Sequence, residues 1–226
     1  MEPHDGIEKG LIKPGETPLP RLWEIATEWM ARQPALTAYA KRLDSLRPEH
    51  VTPADFWIEY IWVVYVSGLS ASAVAGMWPR LVQAAGFCNE DMGEMVLFSR
   101  LAPVNRNRTK ARALHSTRQE LARLGWRTFR GAYLHDVWSM QRLPMVGKIT
   151  RYHLARNLGH DVVKPDIHLA RLAGRYGHHS PFDMCMALAR QTGKRVGVVD
   201  LTLWAYCAAA GTLHLEIARA ARKEQG

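Results

Sequence analysis

The sequence has few cysteines, no long apolar run and too few acidic residues to balance its basic ones. Cys88, Cys185 and Cys207 are far apart and form no Cys-x-x-Cys pair, so neither a disulfide framework nor a clustered zinc or iron–sulfur site is expected. No apolar stretch is long enough to span a bilayer, and residues 1–20 lack the basic and apolar regions of a secretory signal. These absences predict a cytoplasmic protein with no metal site and no membrane partner.

The excess of positive charge points to a polyanionic partner. The chain carries 30 Lys and Arg against 21 Asp and Glu, a net charge of +9. Between residues 100 and 130 the basic side chains are opposed only by Glu120, which favours contact with phosphate. They are Arg100, Arg106, Arg108, Lys110, Arg112, Arg118, Arg123, Arg127 and Arg130.

Apolar spacing predicts an all-α fold. Residues 1–20, rich in Pro and Gly, are expected to form an irregular arm. From Leu22 onward apolar residues recur three and four positions apart, which is typical of helices. Thr52 and Ser180 each precede a proline and an aspartate, the pattern of a capped helix start. The predicted later segments are a buried helix from Thr52 to near Gly68 and helices at 71–85, from Ser180 and at 198–220. Most of the eight Trp are expected in the core.

The most informative segment follows the basic stretch. Pro144 and Gly147 punctuate a tight turn in Leu143-Pro144-Met145-Val146-Gly147, and the residues from Ile149 to Leu158 are amphipathic. Helix, short hairpin, helix is the natural interpretation. Such a turn directs main-chain N–H groups and a positive helix end outward, as phosphate binding requires. The residues expected to contact a phosphate backbone are Met145, Val146, Gly147, Lys148, Thr150 and Arg151.

This hairpin, with Lys164-Pro165-Asp166-Ile167-His168 after it, resembles the signature of helix-hairpin-helix DNA glycosylases such as endonuclease III. The resemblance is specific over about residues 140–176 and looser from 55 to 159; Met145 departs from the family's first hairpin glycine. It implies a two-lobed helical bundle with a cleft between lobes of residues 21–70 plus 178–226 and residues 71–177. It also implies that the hairpin and Asp166 lie at that cleft.

Asp166 is the expected catalytic residue. The resemblance implies a carboxylate that stabilises positive charge at the anomeric carbon as a base leaves its sugar. Without the resemblance, an aspartate after a proline would be interpreted as the N-cap of the following helix. The two roles are compatible, because a cap holds its carboxylate in place.

Two departures from the family limit the expected chemistry. Family members that also nick the strand carry a Schiff-base lysine at the position where this chain has Ile149, and Lys148 stands one residue earlier. No lyase step is therefore expected. An alignment shifted by one residue, compensated before Asp166, stays open. The family's four-cysteine cluster is missing. The resemblance therefore implies no iron–sulfur cofactor and leaves open a monovalent cation at the hairpin.

Further residues are weaker candidates for the substrate pocket, and each has a structural alternative. Asn107 and Lys110 lie either at DNA or in a solvated loop, and His153 contacts a base or is a structural histidine. Lys164 lies at the pocket mouth or neutralises phosphate, and Asp200 and Trp204 line the cleft or begin the last helix. His168 belongs to the resemblance alone.

The function expected is base excision by a monofunctional N-glycosylase that acts on a nucleotide flipped out of double-stranded DNA. The protein is expected to act as a monomer. The alternative is a glycosylase-like transferase joining an amino acid or polyamine to an activated 5-hydroxymethyl pyrimidine, as in phage thymine hypermodification; the location would then be the host cytoplasm. A non-catalytic DNA-binding module is the third class. The base recognised stays open.

Overall fold

The structure is a computed structural model that describes the backbone of residues 18–223 and the side chains of residues 18–209. Within that part of the chain there is no strand, so the all-α prediction is confirmed. A single 3₁₀ turn, Pro48–His50, accompanies the α-helices. They are α1 (Leu19–Ala31), α2 (Pro34–Ser45), α3 (Pro53–Val66), α4 (Ala71–Ala85), α5 (Glu94–Leu101), α6 (Arg108–Leu124), α7 (Trp126–Tyr133), α8 (Val137–Met140), α9 (Thr150–Asn157), α10 (Ile167–Arg175), α11 (Pro181–Thr192) and α12 (Val196–Lys223).

The helix starts follow local capping chemistry. Thr52 and Asp55 form a reciprocal capping box at the start of α3, and Ser180 accepts the Asp183 N–H at the start of α11. The predicted arm is partly corrected: residues 1–17 lie outside the described part, but α1 already begins at Leu19. Pro20 stands within its first turn, where a missing N–H costs nothing.

The chain divides into two compact units. The first consists of the described residues up to Ser45 and from Asp161 onward; the second is Leu46–His160. These boundaries differ from those expected, which placed 46–70 with the first lobe and 161–177 with the second. The reason is packing: α3 contacts α4, α6 and α9 in the second unit, whereas α10 contacts α11 and α12 in the first.

Each unit has its own apolar core. In the first, Leu22, Met184 and Leu203 belong to one buried cluster from α1, α11 and α12. In the second, Phe56 stacks on Tyr60 and packs against Phe129. Seven of the eight Trp are buried or half-buried, as expected, and Trp138 is the exception at 67% exposed. Among the described residues, no helix combines the length and apolarity needed to cross a bilayer.

Candidate functional site

A tight turn separates α8 from α9. The Val146 N–H donates to the Leu143 carbonyl at 3.1 Å and closes a four-residue turn with Pro144 in its second position. The third position, Met145, has φ +62°, the only positive φ of a non-glycine residue among the described ones. A left-handed third residue is what a type II turn requires, and it normally favours glycine. The methionine at this position is therefore strained.

The turn lies at the surface and leaves some amides open. Gly147, Lys148 and Ile149 are exposed, and the N–H groups of Met145, Lys148 and Ile149 donate to no other described residue. The Gly147 N–H donates instead to the Thr150 hydroxyl at 2.7 Å. Val146 is buried and its N–H closes the turn, so neither its side chain nor its amide is available to a phosphate.

A buried tyrosine anchors the turn from below. The Tyr60 hydroxyl donates to the Pro144 carbonyl at 2.8 Å and accepts a hydrogen bond from the Thr117 hydroxyl at 2.8 Å. Tyr60 is fully buried, and burial raises the pKa of its hydroxyl far above the ordinary value. The proton therefore stays on the oxygen and remains available to the turn.

A second polar anchor holds α9 to α3. The Asn157 amide donates to the Glu59 carboxylate at 2.9 Å, and both side chains are buried. This pair was not predicted from the sequence. Glu59 was visible in the sequence as a lone acidic residue in an apolar run, and an acidic side chain that is buried requires a polar partner.

An open pocket of about 550 Å³ lies against the turn. Ile149 lines it, whereas Lys148 is not one of its lining residues. The other lining residues are Ser67, Gln141, Leu143, Met145, Val146, Gly147 and Thr150.

Arg151, expected to bind the DNA backbone, is only 7% exposed. Its guanidinium carbon lies 3.7 Å from the ring centroid of Trp138 and 5.0 Å from that of Tyr152. A guanidinium N–H of Arg151 donates a hydrogen bond to the side-chain oxygen of Gln141. A direct contact with phosphate is therefore not available to Arg151, because stacking holds it in place. The side chain instead connects α9 to Trp138 of α8.

Most basic side chains of residues 100–130 have partners within the second unit. Two cations of α6 are buried there: Lys110 donates to the Tyr65 and Ser67 carbonyls, both at 2.8 Å, and Arg118 donates to the Ala85 carbonyl. They cap the carboxyl ends of α3 and α4, where the carbonyls lack helical partners. The contact with DNA expected of Lys110 is not available, and desolvation lowers the pKa of its ammonium.

Five more of these nine basic residues have partners in the unit, and Arg106 and Arg127 are exposed. The partners are Glu90 for Arg100, the Phe98 ring for Arg108, Glu94 for Arg112, Glu120 for Arg123 and the Glu49 carbonyl for Arg130. Glu90 and Glu94 lie outside the 100–130 window, so a count of acidic residues within that window does not include them.

Three further candidates, Asn107, His153 and His168, lie at the start of α6, on α9 and on α10. Asn107 is the N-cap of α6, with its side chain accepting the Lys110 N–H at 3.1 Å. His153 is 8% exposed within α9, which fits the structural alternative, and His168 is exposed on the first turn of α10.

Asp166 is the N-cap of α10. Its Oδ1 accepts the His168 and Leu169 N–H groups, both at 3.1 Å. The other oxygen, Oδ2, is buried, accepts no hydrogen bond from any described residue and lies 3.4 Å from the Lys164 ammonium. The Asp166 N–H donates to the Lys164 carbonyl at 2.8 Å, and this turn around Pro165 places the two side chains together. One oxygen is thus fixed by the helix and the other faces a cation.

The first unit brings four predicted site residues together. The Lys164 N–H donates to Asp200 Oδ2 at 2.8 Å, and Asp200 is fully buried. The Lys164 ammonium lies 5.5 Å from the Trp204 ring centroid. The ammonium is therefore in contact with the Asp166 carboxylate and lies over the face of the Trp204 indole.

Cys207, one helical turn beyond Trp204, lies near the same carboxylate and was not a candidate. Burial, and next the charge of Asp166, raise the pKa of its thiol to about 11. Asp200, Trp204 and Cys207 are spaced four and three residues apart, which places them on one face of α12. This spacing is the sequence feature from which Cys207 could have been predicted to lie near the site.

Comparisons with protein-family models, with curated proteins and with solved structures found no match to this chain.

Proposed function

We propose that the protein binds double-stranded DNA and hydrolyses the N-glycosyl bond of a flipped-out nucleotide, without cleaving the strand. The observation that carries the proposal is the Asp166 carboxylate, held by two amides on one oxygen and facing the Lys164 ammonium with the other. A carboxylate presented this way is oriented before any substrate arrives.

The pair suits the charge that develops as a base leaves its sugar. Positive charge grows at the anomeric carbon and negative charge on the departing base. Asp166 stabilises the first, and Lys164 donates a hydrogen bond to the second. Water then adds its hydroxide to the anomeric carbon, Asp166 accepts the water's proton, and the proton passes to the released base. The cation and anion of the resting pair thus match the charges that separate in the transition state.

The turn at residues 143–149 would hold the strand. The open amides of Met145 and Ile149 and the exposed Lys148 offer donors to a phosphodiester. Phosphate contacts fix the strand while one nucleotide rotates out of the stack. Ile149, rather than a lysine, lines the adjacent pocket, which supports excision without a lyase step.

The decisive experiment measures base release from duplexes carrying damaged or modified bases, by mass spectrometry of the small-molecule fraction. Asp166→Asn keeps an acceptor for the helix amides but removes the charge, so release should fall about 100-fold or more with DNA binding retained. Asp183→Asn, which alters an exposed aspartate in the first turn of α11 in the same unit, is the matched control and should be fully active. Full activity of Asp166→Asn would remove Asp166 from the chemistry.

Lys164 is tested by a second matched pair. Lys164→Gln should lower base release with little change in DNA affinity. Lys148→Gln should instead weaken binding and reduce its dependence on salt, because it removes a phosphate contact. A Lys164→Gln variant that releases base at the wild-type rate would leave Asp166 acting alone.

The same ammonium favours one alternative, transfer to an activated 5-hydroxymethyl pyrimidine. There an incoming amine forms a C–N bond to the exocyclic methylene, the C–O bond to the activating group breaks, and Lys164 binds the anionic leaving group while Asp166 accepts the amine proton. Mass spectrometry of nucleosides separates the two reactions: excision yields free base, whereas transfer yields a heavier nucleoside still in the strand.

A further inference from the structure

Trp138 stands apart from every other tryptophan of the chain. Its indole is 67% exposed, while the other seven are buried or half-buried. Burying a large aromatic side chain is strongly favourable, so an indole left in water has free energy to gain from a partner. Trp138 lies on α8, the short helix that precedes the turn at residues 143–149.

The ring is held rigidly from one side. The Arg151 guanidinium covers one face at 3.7 Å, and Arg151 is itself fixed by the Gln141 side chain and by the Tyr152 ring. Since that face is covered, the exposed area of the indole lies on its opposite face and its edges. We call this arrangement, Trp138 backed by Arg151, the Trp138 platform.

The surroundings of the platform fit a nucleotide. Gln141 lines the pocket against the turn, and Arg151 directly follows Thr150, another lining residue. The open amides of the turn and the exposed Lys148 are donors for the phosphate of that nucleotide. The acidic neighbour, Asp136, is occupied as the N-cap of α8 and by His135 at 2.9 Å.

We propose that the Trp138 platform binds an unpaired nucleobase by stacking, while the neighbouring turn holds a phosphate of the same strand. The proposal rests on the DNA binding of the proposed function and adds a preference for DNA with an unpaired base. Stacking on an aromatic ring is open to every base because each has a flat face, so the platform selects the absence of pairing rather than a sequence. The guanidinium behind the ring adds charge complementarity to a polyanion.

The test compares two duplexes of equal length, one fully paired and one with a single bulged 2-aminopurine. Wild type should bind the bulged duplex more tightly and quench its fluorescence by stacking. Trp138→Ala should lose about tenfold in affinity for the bulged duplex and lose the quenching, with unchanged affinity for the paired one. Phe87→Ala, which removes another exposed aromatic side chain of the same unit (73% exposed), is the matched control and should behave as wild type.

Three further readouts keep the result unambiguous. Trp138→Phe retains a flat ring and should restore most of the affinity, and thermal unfolding verifies that each variant is folded. The dependence of binding on salt should be the same in wild type and Trp138→Phe, because the ring that holds Arg151 in place is retained and the phosphate contacts are intact.

Failure can be assigned. If wild type binds both duplexes and Trp138→Ala matches Phe87→Ala, the platform is overturned and DNA binding stands. If wild type binds neither duplex, the platform and the proposed function fall together. A wild-type dimer that Trp138→Ala dissociates would identify a second copy as the occupant and would also overturn the platform.

Discussion

The Tyr60 hydroxyl and the Pro144 carbonyl are 2.8 Å apart, and their hydrogen bond connects the buried helix α3 to the exposed turn. The Ala113 carbonyl, at 3.3 Å, is the poorer acceptor for the same proton. The turn's position thus depends on a hydroxyl that is 84 residues away in the sequence.

Tyr60→Phe should destabilise the protein by about 1–3 kcal/mol, because Pro144 and Thr117 each lose a buried partner. Tyr65→Phe is the matched control, since the Tyr65 hydroxyl is buried without a hydrogen bond to any described residue. Its removal should be neutral or stabilising. Urea unfolding of both variants measures the difference, and equal losses would contradict the assigned roles.

Stability should fall as the pH rises above about 10. Burial raises the pKa of Tyr60 and raises that of Tyr65 to about 12, so in the folded state both hydroxyls keep their protons where unfolded tyrosines, with a pKa near 10, lose them. Below about pH 10 both states are protonated and the stabilisation is fully present. Above it the unfolded state is favoured by up to about 1.4 kcal/mol per pH unit for each tyrosine. Tyr65→Phe should show a shallower decline than wild type, and parallel curves would contradict this explanation.

Met145→Gly should stabilise the turn relative to Met145→Ala. Both variants remove the methionine side chain, but only glycine adopts the left-handed φ of +62° without strain. The expected difference is about 1 kcal/mol in the free energy of unfolding. Chemical denaturation measures it, and a more stable alanine variant would show that the turn carries no strain at this position.

Lys110→Met should destabilise the protein by about 2–4 kcal/mol, because two buried carbonyls at the end of α3 lose their donor. Arg112→Met, two residues along α6, removes an exposed cation paired with Glu94 and should have little effect. Folded Lys110→Met should bind DNA as wild type does. If the folded variant binds DNA weakly, Lys110 contacts DNA after all and the purely structural role is contradicted.

The position of Cys207 beside Asp166 can be tested without any activity assay. Because the carboxylate helps to raise the pKa of the thiol, Asp166→Asn should lower that pKa from about 11. Alkylation of Cys207 should then reach its half-maximal rate at a lower pH, measured by peptide mass spectrometry. Cys88, whose raised pKa has burial as its main cause and no contribution from Asp166, is the internal control.

Local features were predictable because their causes lie within a few residues. The helix starts at Thr52 and Ser180 and the turn at Pro144 follow from short-range chemistry, and the cap at Asp166 was one of two roles that the sequence left open. The all-α class follows from spacing that repeats along the chain.

The basic stretch shows where such reasoning ends. Lys110 reaches a carbonyl 45 residues earlier, and Arg112 pairs with a glutamate 18 residues away. A count of charges within a stretch of sequence does not include such partners. It therefore cannot distinguish a cation that caps a neighbouring helix from a cation that binds phosphate.

By itself the sequence determined the helical class, the capped starts and the tight turn at Pro144, because each is decided by backbone sterics and hydrogen bonds among near neighbours. Only the tertiary structure decided that Arg151 lies beneath Trp138, that Asp200 holds the segment bearing Lys164, and where the two units divide. Those outcomes depend on which helices pack together, and packing brings together residues that no local rule relates.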